Sequence, residues 1–206
     1  MPSVCDRAGF PLLRLAELGL EVQLWPVAKV QFERFLAEPD GLGDNWYEEV
    51  LKQNARVSWR SASEEAREQL LLTAVLPAEA LRFAAWLGAG FDLPTLEEWR
   101  NIHRALAGDI LTTAKLVAVR SQAGEAARGI MDRLIRQLQP RTMLDLSLMR
   151  GGVVEWVREG RNWTGLGCPR EAFWPNVWDP LTEAVRPIDA AARLPYFGFR
   201  LVRRGR

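Results

Sequence analysis

A chain of 206 residues, 48% hydrophobic and 26% charged, is long and apolar enough to bury a sizeable core and too hydrophobic to stay disordered. Its 27 basic and 26 acidic side chains leave a formal charge of +1, which excludes a global field that would gather nucleic acid or anionic lipid. Two cysteines far apart, Cys5 and Cys168, with a lone His103, exclude a disulfide framework and a zinc site. The longest apolar stretches fall far short of the roughly 20 residues of a membrane span. The first ten residues lack a basic head followed by an apolar run, so the expected compartment is the cytoplasm.

In chain order, residues 21–25 alternate in character and read as a short strand. Pro26 opens a predicted helix over 27–37, with Val27, Val30 and Phe35 toward one side, and Glu38-Pro39-Asp40-Gly41 stops it. Residues 42–61 are irregular, with Trp46, Tyr47 and Trp59 as anchors. A second helix is predicted from Pro77 to about Leu87, placing Leu81, Ala84 and Trp86 inward, with Gly88 and Gly90 at its end. Thr95 and Glu98 form a capping box at the start of a third, whose stripe is Leu96, Trp99, Ile102 and Leu106. His103 is expected at the surface or boundary of that helix. Residues 111–138 read as further helix with Ile130, Leu134 and Leu138 on one face, and Pro140 closes it. The texture then changes to strand, over 153–157 and again over 196–202. The connection between them is long, and its aromatic content argues against disorder.

Three segments in this order resemble the formylglycine-generating-enzyme (sulfatase-modifying factor) family. Leu76-Pro77 to Leu87 followed by Phe91-Asp92-Leu93-Pro94-Thr95-Leu96-Glu97-Glu98-Trp99 is similar to that family's helix and its "RLPTEAEWE" signature. Leu144-Asp145-Leu146 through Gly152-Val153-Val154-Glu155-Trp156-Val157 is similar to "DMLGNVWEWV", and Gly198-Phe199-Arg200-Leu201-Val202 to the closing "GFRLV". Leu24 to Leu36 looks like the family's "PVTNAQFxxFL" helix. The resemblance implies one α+β domain over 1–206 with a C-type-lectin-like fold. It would have two main helices, small antiparallel sheets, N- and C-terminal strands meeting in one sheet, and here a helical insert over about 110–139. Trp86, Trp99, Trp156 and Phe199 are expected to be core.

Active members of the family use a redox-active cysteine pair late in the chain. This sequence has Cys168 alone there, with Arg170 nearby in sequence. Relatives that oxidise histidine betaines hold iron with several histidines, which one histidine cannot do. The Asn of the family's calcium element falls at Gly152, although Glu155 survives. The expectation is therefore no catalytic residue, no cofactor and no metal. Two alternatives remain open: an oxidoreductase of the sulfatase-modifying type using Cys168, and a regulatory interaction module with 111–138 as its docking face.

What remains is an aromatic stretch among turn formers, within a region expected over about 158–197 to display a ligand surface. Trp163, Phe173, Trp174 and Trp178 follow no helical or strand period, and Pro169, Pro175 and Pro180 stiffen the backbone around them. These rings either face a partner or cover a satellite core beneath the loop. The binding reading takes Arg161, Asn162, Trp163, Thr164, Leu166, Cys168, Glu171, Phe173, Trp174, Asn176, Val177 and Trp178 as the ligand-contacting set. The ligand is expected to be a protein, with nucleic acid excluded. This placement also resembles the variable proteins of diversity-generating retroelements, which concentrate changing residues just before a C-terminal Gly-Phe-Arg strand. The sequence departs from their usual "RGGSW" element, since Arg150-Gly151-Gly152 falls earlier.

Overall fold

The structure, a computed structural model, describes residues 3–39, 41–42, 46, 71–169, 179–186 and 189–205. These form an α+β arrangement with six α-helices and three small sheets among the described residues. Strands β1 (Ser3–Cys5), β2 (Pro11–Leu15) and β3 (Leu20–Gln23) make an antiparallel meander. Gly19, in the left-handed region at φ 64°, ends the 3-10 turn Ala16–Leu18 between β2 and β3. The predicted strand over 21–25 is shorter than expected at its end. Leu24 and Trp25 leave the sheet because Trp25 turns inward, its indole N–H donating to the Leu146 carbonyl at 2.9 Å.

Helix α1 (Lys29–Leu36) starts later than the spacing predicts, so Val27 is buried ahead of the helix instead of on it. Its inward residues are Gln31, Phe32 and Phe35. Helix α2 (Pro77–Leu87) has the expected bounds, with proline in its first turn and Glu79 accepting from the Leu76 amide at 2.9 Å. Its buried stripe is Ala80, Phe83, Ala84 and Leu87, while Leu81 and Trp86 are only half-buried. The stripe is turned from the expected one because Phe83 enters an aromatic cluster. Its ring lies 5.1 Å from Phe32, 5.8 Å from Phe35 and 5.9 Å from Phe199.

After the short strand β4 (Phe91–Asp92) comes helix α3 (Leu96–Ala107) with its capping box formed. The Thr95 hydroxyl accepts from the Glu98 amide at 3.1 Å, and the Glu98 carboxylate accepts from the Thr95 amide at 2.7 Å. Trp99, Ile102 and Leu106 are fully buried, and Leu96 packs partly against the core.

The insert is two helices, α4 (Thr113–Gln122) and α5 (Glu125–Leu138). The break falls at Gly124, whose amide donates to the Gly9 carbonyl at 2.9 Å, and a Cβ there would stand 3.0 Å from that oxygen. Close backbone approach therefore anchors the insert to the β1–β2 loop. Ala127, Ile130, Met131 and Leu134 of α5 are buried, and Leu138 is half-buried at its end. A short helix α6 (Met143–Ser147) follows, capped by Thr142.

Strand β5 (Arg150–Gly152) pairs in parallel with β8 (Cys168–Pro169). Strand β6 (Val154–Glu159) forms a hairpin with β7 (Asn162–Leu166). The predicted strand over 196–202 is two strands in two sheets. β9 (Phe197–Gly198) runs parallel to β6, and β10 (Val202–Arg204) lies antiparallel between β3 and β4. N-terminal and C-terminal strands thus meet in one five-stranded sheet of order β1-β2-β3-β10-β4. The chain crosses between sheets at Phe199 to Leu201, where all three side chains are fully buried.

Candidate functional site

The crossing carries an arginine. Arg200 is fully buried, and all five of its N–H groups donate. Nε and one terminal nitrogen clasp the Glu155 carboxylate at 2.6 and 2.8 Å. The remaining donors reach the carbonyls of Gln23 at 3.3 Å, Leu24 at 3.1 Å and Ser147 at 2.8 Å. Glu155, also fully buried on β6, accepts the Trp99 indole N–H at 3.0 Å. One ion pair thereby joins β3, α3, α6, β6 and the C-terminal crossing. A buried pair with every donor satisfied fixes geometry, and removing one partner leaves an uncompensated charge. The sequence marks Arg200 only as part of a Gly-Phe-Arg motif. A guanidinium between Phe199 and Leu201 in an apolar strand is the signal that could have found its role.

This pair also bears on the calcium element. Both Glu155 oxygens are committed to Arg200. A Cβ on Gly152 would overlap the Leu148 carbonyl oxygen, so no asparagine fits at that position. The residues present do not suit a calcium ion there.

Beside the pair lies His103, which is 1% exposed, a correction to its expected surface or boundary position. It stands four residues after Trp99 on the same stripe of α3, its ring stacked on that indole with centroids 5.5 Å apart. Neither ring nitrogen has a hydrogen-bond partner among the described residues. Burial first, then the cationic neighbours Arg150, Arg200 and Arg104, lower its pKa from the ordinary 6.5 to about 4, against the pull of Asp179.

From the locked base of β6 the hairpin runs outward to the predicted ligand region. Gly160, at φ 62°, and Arg161 make its two-residue turn, and Arg158 stands opposite Trp163 and Glu159 opposite Asn162. Arg161 and Asn162 are exposed at the tip, and Arg161 has no ion partner among the described residues. Trp163 is half-buried, with the Arg158 guanidinium 5.3 Å from its ring centroid. Arg158 is itself braced by Asp92 at 3.1 Å and by its amide donating to the Pro94 carbonyl at 2.9 Å.

Two members of the expected ligand set are corrected. Thr164 and Leu166 are fully buried, because the inner half of β7 is covered on both faces. The Thr164 hydroxyl donates to the Val185 carbonyl at 3.0 Å, and the Gly165 and Val185 main chains exchange two further bonds of 2.8 Å. Threonine there pins the 184–186 segment to the hairpin. The side chain of Cys168 and all of Arg170, Glu171, Phe173, Trp174, Pro175, Asn176, Val177 and Trp178 lie outside the described residues, as do Tyr47 and Trp59. The site that can be described is therefore the hairpin tip.

Cys5 is a free thiol that donates to the Gln122 carbonyl at 2.6 Å, on the side of the sheet facing the insert. Burial, and after it the Asp6 carboxylate, push its pKa up, away from a reactive thiolate. A cavity of about 450 Å³ opens elsewhere, at the end of the five-stranded sheet beside Arg14, Leu20, Glu21 and Arg203. None of the expected ligand residues lines it. No helix among the described residues is long and apolar enough to cross a membrane. No protein-family model, curated protein or solved structure matches this chain.

Proposed function

We propose that this chain is a non-catalytic binding protein that presents its C-terminal hairpin and following loop to a protein partner on a C-type-lectin-like scaffold of the formylglycine-generating-enzyme type. The reading draws on the motif resemblance, on the pairing of β3 with β10 and on the two main helices α2 and α3. The observation that carries it is the hairpin tip, where Arg161, with no ion partner among the described residues, Asn162 and a braced Trp163 stand together outside a base held by the Glu155–Arg200 pair. Tryptophan and arginine are the side chains that dominate binding hot spots, and a rigid base lowers the ordering entropy of binding. The variable proteins of diversity-generating retroelements are the resembling group that uses such a region in this way.

The test is selection of peptides from a displayed library against the full chain, followed by titration of the variants. Arg161→Ala and Trp163→Ala should each weaken a selected peptide by at least about tenfold, the loss typical of a hot-spot residue. Trp163→Ala should lower unfolding stability by only about 1–2 kcal/mol, as for a half-buried ring. Selected peptides that bind both variants as tightly as the parent chain would refute this placement of the site.

A further inference from the structure

The insert carries a second surface that the hairpin does not use. Among the described residues only two large hydrophobic side chains are exposed, Ile110 at 68% and Val117 at 60%, and both belong to the insert. Val117 lies on the outward face of α4 with Ala114 and Ala118, a face without charge. Ile110 precedes that helix and bridges to Thr142, which sets it beside Arg141. Next to this apolar strip α5 turns out a basic face. Arg128, Arg133 and Arg136 occur at helical spacing opposite the buried Ala127, Ile130, Met131 and Leu134. With Arg141, they are exposed; Asp132, bonded to Arg120, lies between Arg128 and Arg136 and is the one acidic side chain among them. Arg120 and Asp132 join α4 to α5 through two bonds of 3.0 Å, so the two outward faces adjoin. Residues 110–141 hold six basic and two acidic side chains, a surplus of four positive charges in a chain whose net charge is +1.

We infer that the α4–α5 face docks an acidic amphipathic helix of a partner protein, with apolar side chains against Val117 and Ile110 and carboxylates against the α5 arginines. A surplus of exposed guanidiniums attracts carboxylates, and the alanines flanking Val117 let a helix approach closely. An anionic membrane would call for larger apolar side chains than one Ile and one Val. A nucleic acid would leave the aliphatic strip without a counterpart, since single strands bind by stacking on aromatic rings.

The experiment is fluorescence anisotropy on the full chain with a labelled helical peptide of about three heptads, Leu on one face and Glu on the other. Saturable binding is expected. Val117→Asp and Arg136→Glu, both at exposed positions, should each weaken it by at least about tenfold, as for hot-spot residues. Trp163→Ala should leave it unchanged, separating this face from the hairpin site. A scrambled peptide of the same composition binding equally well would overturn the proposal. So would tighter binding of phosphatidylserine vesicles or duplex DNA, or no binding at all.

Discussion

Acidification should destabilise this protein through His103 before most of its carboxylates are protonated. The imidazole is 1% exposed, stacked on Trp99 and without a hydrogen bond to any described residue at either nitrogen. Its charged form is opposed by burial and then by Arg150, Arg200 and Arg104, with Asp179 the opposing anion. In the unfolded chain the ring takes up its proton near 6.5, and in the fold only near 4. The folded pKa is the lower one, so His103 supports stability fully above about pH 7.5 and loses that support as pH falls from 6.5 to 4. At about 1.4 kcal/mol per pH unit the loss reaches at most about 3.5 kcal/mol, a large part of a typical domain's stability. Urea unfolding of the parent chain and of His103→Leu at intervals from pH 7.5 to 4.5 separates this effect from the carboxylates common to both. At pH 7.5 the variant should lie within about 1 kcal/mol of the parent, because lost packing on Trp99 is offset by removing an unsatisfied imidazole. By pH 4.5 the variant should be the more stable by about 2 kcal/mol. A stability difference that stays constant over the whole pH range would refute the reasoning.

Breaking the central ion pair should be more severe. Arg200→Met or Glu155→Leu alone should lower stability by about 3–5 kcal/mol in urea unfolding, while the double variant should lose less than the two single losses together. Gly165→Ala would bring a Cβ within 2.6 Å of the Phe197 ring, and calorimetry should show a loss of about 1–3 kcal/mol from overpacking. Thr95→Ala removes the hydroxyl that accepts from the Glu98 amide, and chemical denaturation should show a loss of about 1 kcal/mol.

Local chemistry made much of this architecture legible in the sequence. Pro77 and the glycine at 88 bound α2, and the Thr95–Glu98 box bounds the start of α3, because capping depends on residues only a few positions apart. The burial of Trp99, Trp156 and Phe199 likewise followed from periodicity and size. Features set by distant neighbours were not legible. The break at Gly124 depends on Gly9, more than a hundred residues earlier, and the rotation of the α2 stripe depends on which rings Phe83 meets. The split of the last predicted strand depends on Arg200 finding Glu155 and the carbonyls of Gln23, Leu24 and Ser147.

The candidate site divides along the same line. Arg161, Asn162 and Trp163 could be named from composition, but the strand β7 that carries Asn162 and Trp163 could not, because its pairing with β6 does not show in a stretch rich in turn formers. Thr164 and Leu166 could not be separated from them, because which face of β7 is covered is decided by Val185 and the core beneath, not by β7 itself. In the same way a histidine on an amphipathic helix reads as a boundary residue until β6 and α6 close over it. The amino-acid sequence by itself determined the starts of α2 and α3 and the burial of Trp99, Trp156 and Phe199, all of them local or compositional properties. Only the tertiary structure decided that Glu155, Arg200 and His103 are buried, because burial and pairing depend on contacts the chain makes across its whole length.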